Sequence, residues 1–208
     1  EIASCLVGSG DVYKRQVLMT QFPNTAYQSF NEKYRKLNWF YNKEHFKAWT
    51  EGNTGYPLVD AAMRKLNRTG HMHNRLRMVV SQFLTKDLFI DWMWGEAYFK
   101  KYLIDYDNAS NVHGWQWSAS TGTDAVPYFR MFNPSTQSER FDKNAYFIKE
   151  ELSIFEDVPS KYIHYPMSYE QTLQHTYGVE LGKDYPKAIV DHKTSRAHVM
   201  SKFKNIGK

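Results

Sequence analysis

The sequence predicts an all-α fold. Apolar residues recur at intervals of three and four over several stretches, and strand-like alternation is nowhere sustained. Helix-capping and helix-ending residues lie at the ends of these stretches. The 208 residues, 42% of them hydrophobic, suffice for one domain with its own core. No apolar run approaches the ~20 residues of a bilayer span. A single cysteine, Cys5, excludes an intrachain disulfide and indicates a reducing compartment, the cytoplasm.

End signals define the helices in chain order. Asn42 is a capping residue before one helix, which Gly52 ends. Pro57 stands where proline opens a helix, and Gly70 closes that helix. Asp91 caps a later helix. Periodicity alone predicts three more, from Met72 onward, over 135–152 and over 188–204.

Residues 104–134 differ from this pattern. They are rich in turn-forming residues and predict a long loop without a regular element. A loop of this length in a folded domain is usually functional. Its turn-forming residues are Asp105, Asp107, Asn108, Asn111, Gly114, Gly122 and Pro127.

The first sixteen residues, 1–16, show no helical or strand periodicity and no secretory signal. They resemble the translation of a sequencing adapter, so we expect a tail that is not native. Residues 17–208 are then expected to be part of a domain of a longer protein.

Two features of the composition indicate a binding function. Phe, Trp and Tyr make up 16% of the chain, more ring surface than a core of this size needs. The formal net charge is +5. The stretch 61–104 alone carries that surplus, because its basic residues exceed its acidic ones by the same number. Basic residues among aromatics are typical of nucleic-acid binding, although a solvated helix face has the same composition.

Few residues could carry catalysis. Asp105 and Asp107 lie two apart and could serve acid/base chemistry, bind a metal or form a turn. His71 and His73 are two apart, which on a helix directs them away from each other, so no metal site is expected. Phosphate-binding loops and nucleophile motifs do not occur in the sequence.

Five motifs go further: TGYPLVDAAMRKL, GHMHNRLRM, KDLFIDW, LIDYDNASN and GWQWSASTGTDAVPYFRMFNP. From about Asn38 to the end, the sequence resembles the C-terminal domain of the photolyase and cryptochrome family, most of all its bacterial class I members. The resemblance implies a helical domain that binds FAD. It also implies a missing N-terminal α/β domain with a folate or deazaflavin antenna chromophore.

The resemblance assigns roles to single residues. Positions that contact FAD in the family correspond to His71, Asn74, Arg77, Asp105, Asp107 and Asn111. Positions that contact DNA or the flipped lesion correspond to Asn74, Arg75, Met78, Trp117 and Gln137. Three indoles match the family's electron-transfer chain: Trp39, Trp92 and Trp115. Trp49 and Trp94 have no match and are interpreted as packing residues.

The sequence departs from the family at two positions near the expected cofactor. His71 replaces a tryptophan and His113 replaces a glycine, which adds bulk close to the flavin. The family's phosphate-binding loop for FAD would precede residue 17. We therefore expect this chain alone to be inactive and to bind FAD poorly.

The resemblance implies light-driven repair of cyclobutane pyrimidine dimers in ultraviolet-damaged DNA, a carbon–carbon lyase reaction. The expected protein is a monomer of the bacterial cytoplasm, associated with the nucleoid. A blue-light receptor of the cryptochrome type is the main alternative; Asn111 and Asn74 favour dimer repair over the relatives that differ there. A cofactor-free DNA-binding fragment is the third possibility.

Overall fold

The computed structural model describes residues 9–206, which form an all-helical domain. Within this range, β-structure is limited to two isolated bridges. No helix in it is long and apolar enough to cross a membrane. The helices are α1 (Ser9–Gln21), α2 (Lys43–Glu51), α3 (Pro57–Thr69), α4 (Asn74–Gln82), α5 (Trp92–Tyr102), α6 (Asn108–Ser118), α7 (Pro134–Phe141), α8 (Tyr146–Glu151), α9 (Ser160–Ile163), α10 (Glu170–Tyr177) and α11 (His192–Asn205).

The predicted fold class is confirmed, and so are several helix ends. Asn42 accepts a hydrogen bond from the His45 amide at the start of α2. Pro57 is the first residue of α3, and Gly70 ends that helix in the left-handed region. The Asp91 carboxylate caps α5 by accepting from the Met93 amide. These signals act locally, so the sequence alone carries them.

The prediction of a loop over 104–134 is wrong for residues 108–118, which form α6. Asp107, interpreted as a turn former, is its N-cap and accepts a hydrogen bond from the Ser110 amide at 2.8 Å. The helix has core or cavity on most of its sides, so no polar face marks its period. The absence of helical periodicity in 1–16 is also misleading, since α1 begins at Ser9; residues 1–8 lie outside the described range.

Two further boundaries differ. The predicted helix over 135–152 is divided into α7 and α8, because Asp142 leaves the helical conformation and accepts hydrogen bonds from the amides of Phe147 and Ile148. Between the predicted helices over 135–152 and 188–204, the structure has two further short helices, α9 and α10.

Helix α3 lies at the centre of the core. Most of its residues are buried, and it packs against α2, α4, α7 and α8. Helix α6 packs against α1, α4 and α5. The contact between α5 and α6 is close, because a Cβ added to Gly95 would lie 2.1 Å from the Trp115 ring. This packing fixes Trp115 in the wall of the cavity described below.

A π-helical turn, Phe83–Asp87, follows α4 and buries two charged side chains. The Lys86 ammonium donates to the carbonyl of Arg130 at 3.1 Å. Burial lowers the pKa of Lys86 to about 7. The Asp87 carboxylate and the His192 ring form a hydrogen bond of 2.6 Å. Burial raises the pKa of Asp87 to about 6, although the hydrogen bond to His192 lowers it. The turn is thus a buried site whose protonation changes near neutral pH.

Lys86→Met should change the pH dependence of stability. Between pH about 7 and 10.5 the unfolded chain binds a proton at Lys86 that the folded chain does not. Wild-type stability therefore gains up to ~1.4 kcal/mol per pH unit from this residue as pH rises through that window. The variant lacks the gain. Urea unfolding at several pH values measures the free energy of unfolding, and exposed Lys100→Met is the control. Parallel plots of that free energy against pH for Lys86→Met and the wild type would contradict the prediction.

Candidate functional site

A cavity of about 340 Å³ opens between α4, α6 and the segment 103–107. Its volume lies at the lower end of the ~300–1,000 Å³ range of small-molecule sites, enough for a ring system. Residues of α1 complete its wall. The predicted site residues that line it are Asn74, Arg77, Met78, Asp105, Asp107, Asn111, Trp115 and Trp117.

An ion pair forms one edge of the cavity. A terminal nitrogen of Arg77 donates to both carboxylate oxygens of Asp105, at 2.9 and 2.7 Å. The Arg77 Nε donates to the carbonyl of Met72 at 2.7 Å, which fixes the guanidinium. The pair is partly solvent-exposed, so it contributes little to the stability of the fold. Its effect is to hold two opposite charges at one edge of the cavity.

Asp107 and Asn111 lie on the first turn of α6. Asp107 uses one oxygen to cap the helix. The Asn111 amide nitrogen donates to the carbonyl and the carboxylate of Glu96, at 3.2 and 3.1 Å. Its amide oxygen accepts no hydrogen bond from the described residues. Asn111 is thus held by α5 and keeps an acceptor for a ligand.

Gly114 and two indoles form the next part of the wall. A Cβ added to Gly114 would meet no atom within 4 Å, so the cavity extends to the backbone of α6 there. Trp115 is 2% exposed and packs edge-to-face on Phe99, with ring centroids 5.0 Å apart. Trp117 lines the cavity together with Met78. The site combines a charged edge with a flat apolar wall.

Five predicted residues do not line the cavity. His71 is exposed, while Trp39 and Trp92 are buried in the core. Within the described range, no two of the three predicted relay indoles are in ring-to-ring contact. Arg75 lies outside the cavity against Phe141, its guanidinium 4.5 Å from the ring centre. Gln137 is one turn before Phe141 on α7, so the two predicted DNA contacts lie on helices that meet at Phe141.

His113 does not lie where the family resemblance suggested. It is buried in α6 but absent from the cavity wall, and both of its ring nitrogens lack a partner among the described residues. Burial and the nearby Arg15 lower its pKa. The expected extra bulk beside a cofactor is therefore not found.

The basic stretch 61–104 does not form one exposed surface. Lys86 is buried, and Arg77 is paired with Asp105. Lys65 and Arg68 both pair with Glu151. Much of the charge surplus is thus neutralised locally. Outside the cavity, Arg75 and Arg140 both lie over the Phe141 ring, with their guanidinium carbons 4.5 and 5.2 Å from its centre.

Sequence reasoning missed several wall residues. Asp11 and Arg15 belong to the segment set aside as a tail. Ser81 and Ser118 hydrogen-bond each other at 2.7 Å in the wall. Ser81 lies one helical turn after Arg77 and Met78, and Ser118 lies one turn after Trp115. This spacing places each serine on the cavity face of its helix, but only once both helices are known. Among residues 9–206, no group of three His, Cys, Asp or Glu side chains could hold a metal ion.

The fold and the cavity define a helical domain whose cavity, with its charged edge and flat apolar wall, suits a flat ligand with a polar edge. Comparison with known proteins identifies the family to which this domain belongs. The family model described as the FAD binding domain of DNA photolyase matches residues 11–205. The chain belongs to this family, as the sequence resemblance predicted.

Individual relatives agree. The chain is 54% identical over 168 residues to the deoxyribodipyrimidine photo-lyase of Escherichia coli, which covers 81% of this chain and 34% of that protein. It is 50% identical over 182 residues to the enzyme of that name from Alkalihalophilus pseudofirmus, covering 88% of this chain and 38% of the relative. The chain therefore spans well under half the length of these relatives.

Solved structures show the same fold. A bacterial class III photolyase from Agrobacterium tumefaciens superposes with a TM-score of 0.90 at 39% identity, covering all of this chain and 45% of that protein. A Synechocystis cryptochrome gives a TM-score of 0.85 at 37% identity, covering 91% and 39%.

Proposed function

We propose that this chain is the flavin-binding and lesion-binding part of an enzyme that repairs cyclobutane pyrimidine dimers in ultraviolet-damaged DNA under light. The main support is that residues expected to contact the cofactor and residues expected to contact the lesion line the same cavity. Arg77 and Asn111, expected at the flavin, share it with Met78 and Trp117, expected at the lesion. The related proteins named deoxyribodipyrimidine photo-lyase support the same activity.

The cavity suits the ring system of FAD. It is deep enough at Gly114 for a flat ring to approach the backbone, and its charged edge offers a guanidinium and a carboxylate. When bound, FAD supplies the light-absorbing electron donor of the reaction. The Arg77–Asp105 pair then sets the electrostatic field at the ring edge. Asn111, whose amide nitrogen is held by Glu96, would offer its amide oxygen to the ring.

Trp117 and Met78 would receive the damaged bases. A dimer inside the duplex cannot reach a buried cavity, so it must be extruded, and an already distorted pair costs less to extrude. Stacking of a base on an indole is worth roughly 1–3 kcal/mol. Outside the cavity, Arg75 stands at the start of α4, where it can contact the phosphates beside the extruded bases.

The test is a chimera. The matching segment of the Escherichia coli relative is replaced by that of this chain and expressed in a repair-deficient host. We expect blue light, but not darkness, to restore survival after ultraviolet exposure. Trp117→Ala should reduce the rescue severalfold, because lesion stacking is lost, whereas Tyr146→Ala at an exposed aromatic should not.

Equal survival in light and darkness, from a folded chimera that holds FAD, would contradict the repair function. That outcome would favour the alternative of a blue-light receptor, in line with the similarity of this chain to a Synechocystis cryptochrome.

A further inference from the structure

The connecting segment, residues 119–132, joins α6 to α7 and is attached to the wall of the cavity. The Val126 amide donates to the carbonyl of Trp117, a residue of that wall, at 3.3 Å. Phe129 and Arg130 follow, and both are exposed. The connecting segment therefore links the part of the cavity expected to receive the lesion to the molecular surface.

Helix α4 fixes both ends of this segment. At the first end, the Ser81 hydroxyl donates to the hydroxyl of Ser118, the last residue of α6, at 2.7 Å. At the second end, the side-chain oxygen of Gln82 accepts a hydrogen bond from the Phe132 amide at 3.0 Å. Two neighbouring residues of α4 thus hold the two ends of the connecting segment.

Lys86 adds a second bond at the far end. It lies four positions after Gln82, and its ammonium donates to the carbonyl of Arg130 at 3.1 Å. The two side chains together bind the carbonyl of one residue and the amide of Phe132, two positions later. A neighbouring parallel β-strand binds the same two groups of its partner. Gln82 and Lys86 therefore fix the direction of the backbone at 130–132 as well as its distance from α4.

The burial of these two side chains indicates a positioning role. Gln82 and Lys86 are 0% and 1% exposed. Burial lowers the pKa of Lys86 to about 7, because a charged ammonium is costly away from water. For packing alone, an apolar side chain of similar length is at least as stabilising as a buried charge. The buried ammonium is therefore better explained by the backbone that it holds than by the stability of the fold.

We propose that Gln82 and Lys86 are positioning residues for lesion binding. By fixing the connecting segment to α4, they keep Trp117 at a set place relative to Met78. The proposal rests on the proposed function, in which Trp117 and Met78 receive the extruded bases. Helix α4 also carries Arg77, the cation at the charged edge of the cavity. One helix thus places both the edge expected at the flavin and the wall expected at the lesion.

Loosening the connecting segment should weaken lesion binding in particular. Tyr128 stacks on Phe203 of α11, with ring centroids 5.3 Å apart, so we expect the part after Tyr128 to become mobile. The extruded bases bind beside Trp117, and a mobile segment there must be ordered when they do. Ordering the backbone of a single residue lowers affinity about 5- to 30-fold. Undamaged duplex does not enter the cavity, so its affinity should not depend on this order.

The test uses the chimera with the Escherichia coli relative, loaded with FAD, at a pH below the pKa of Lys86. Gln82→Met and Lys86→Met each remove one bond and keep the length of the side chain. Hydrogen exchange, measured by mass spectrometry, should rise in peptides that contain 129–132 and not in those of α3. The Kd for DNA with one cyclobutane dimer should rise about tenfold in each variant. The Kd for undamaged duplex and the FAD content should stay unchanged.

Three further variants separate positioning from packing. Gln82→Glu keeps an acceptor oxygen for the Phe132 amide, so it should retain most of the lesion affinity that Gln82→Met loses. Gln171→Met and Lys100→Met make the same replacements at exposed positions and should behave as the parent chimera does.

Four results would overturn the proposal. Unchanged exchange at 129–132 would show that the two side chains do not hold the segment. Raised exchange with unchanged lesion affinity would show that the attachment does not serve lesion binding. A melting temperature and FAD content that fall together with lesion affinity, in Gln82→Glu as in Gln82→Met, would show a packing role. A parent chimera that does not prefer the dimer would contradict the proposed function itself, and this result is seen before any variant is made.

Discussion

Asp60→Ala is expected to remove most of the stability of the domain. The Asp60 carboxylate is completely buried in α3 and accepts four hydrogen bonds. One oxygen binds the amide and hydroxyl of Thr54, at 2.7 and 2.6 Å. The other binds the amide of Gly55 at 3.0 Å and the hydroxyl of Tyr185 at 2.5 Å. Alanine would leave these four buried donors without an acceptor.

Each unsatisfied buried donor costs about 1–3 kcal/mol, and the whole stability of a domain is roughly 5–15 kcal/mol. We therefore expect a loss of at least ~4 kcal/mol, near the limit of cooperative folding. Asp60→Asn, which keeps one acceptor oxygen, should lose less. Exposed Asp157→Ala is the control.

The network also joins distant parts of the chain. Gly55 has φ +79°, and a Cβ there would lie 2.4 Å from the backbone nitrogen of Ala188. The Thr54 carbonyl accepts a hydrogen bond from the Ile189 amide at 3.0 Å. Asp60 thus holds the turn against which the segment before α11 packs. Urea unfolding followed by circular dichroism measures the effect, and a loss below about 1 kcal/mol would show that the network relaxes without it.

The parts of the fold that the sequence predicted depend on local signals. Asn42, Pro57, Gly70 and Asp91 act within one helical turn, so their effect is visible without knowledge of the core. Helix α6 was missed because Asp107 suits a turn as well as a cap, and because a helix enclosed on most sides has no polar period. The sequence of residues 108–118 fits both a loop and a helix, and contacts with other helices stabilise the helix.

The candidate site shows the same limit. Arg77 and Asp105 are 28 positions apart, and no spacing rule brings them together. The family resemblance assigned both to the cofactor site, and the structure places them in contact. The contact of Trp115 with Trp49 was not predicted at all, because a helix pattern cannot distinguish an indole in the core from one that touches the cavity wall.

Gly114→Leu is expected to stabilise the chain and to abolish most of its flavin binding. Gly114 is within α6, where leucine is better than glycine by roughly 0.8–1 kcal/mol in helix propensity. Its position is open to the cavity, so the new side chain meets no atom at its Cβ. The melting temperature should therefore rise by a few degrees.

The same side chain would occupy the space of the ligand ring. Binding would then require its displacement, an overpacking of roughly 1–3 kcal/mol, or about a 5- to 150-fold loss of affinity. The probe is FAD bound by the chimera with the Escherichia coli relative, because the chain alone is expected to bind FAD poorly, and flavin fluorescence reports the bound cofactor. Ala97→Leu, which places the same side chain at an exposed position of α5, should change neither property by much. A variant chimera that is more stable and still binds FAD as the parent chimera does would show that the ring binds away from Gly114, and that the wall formed by α6 is not the flavin site.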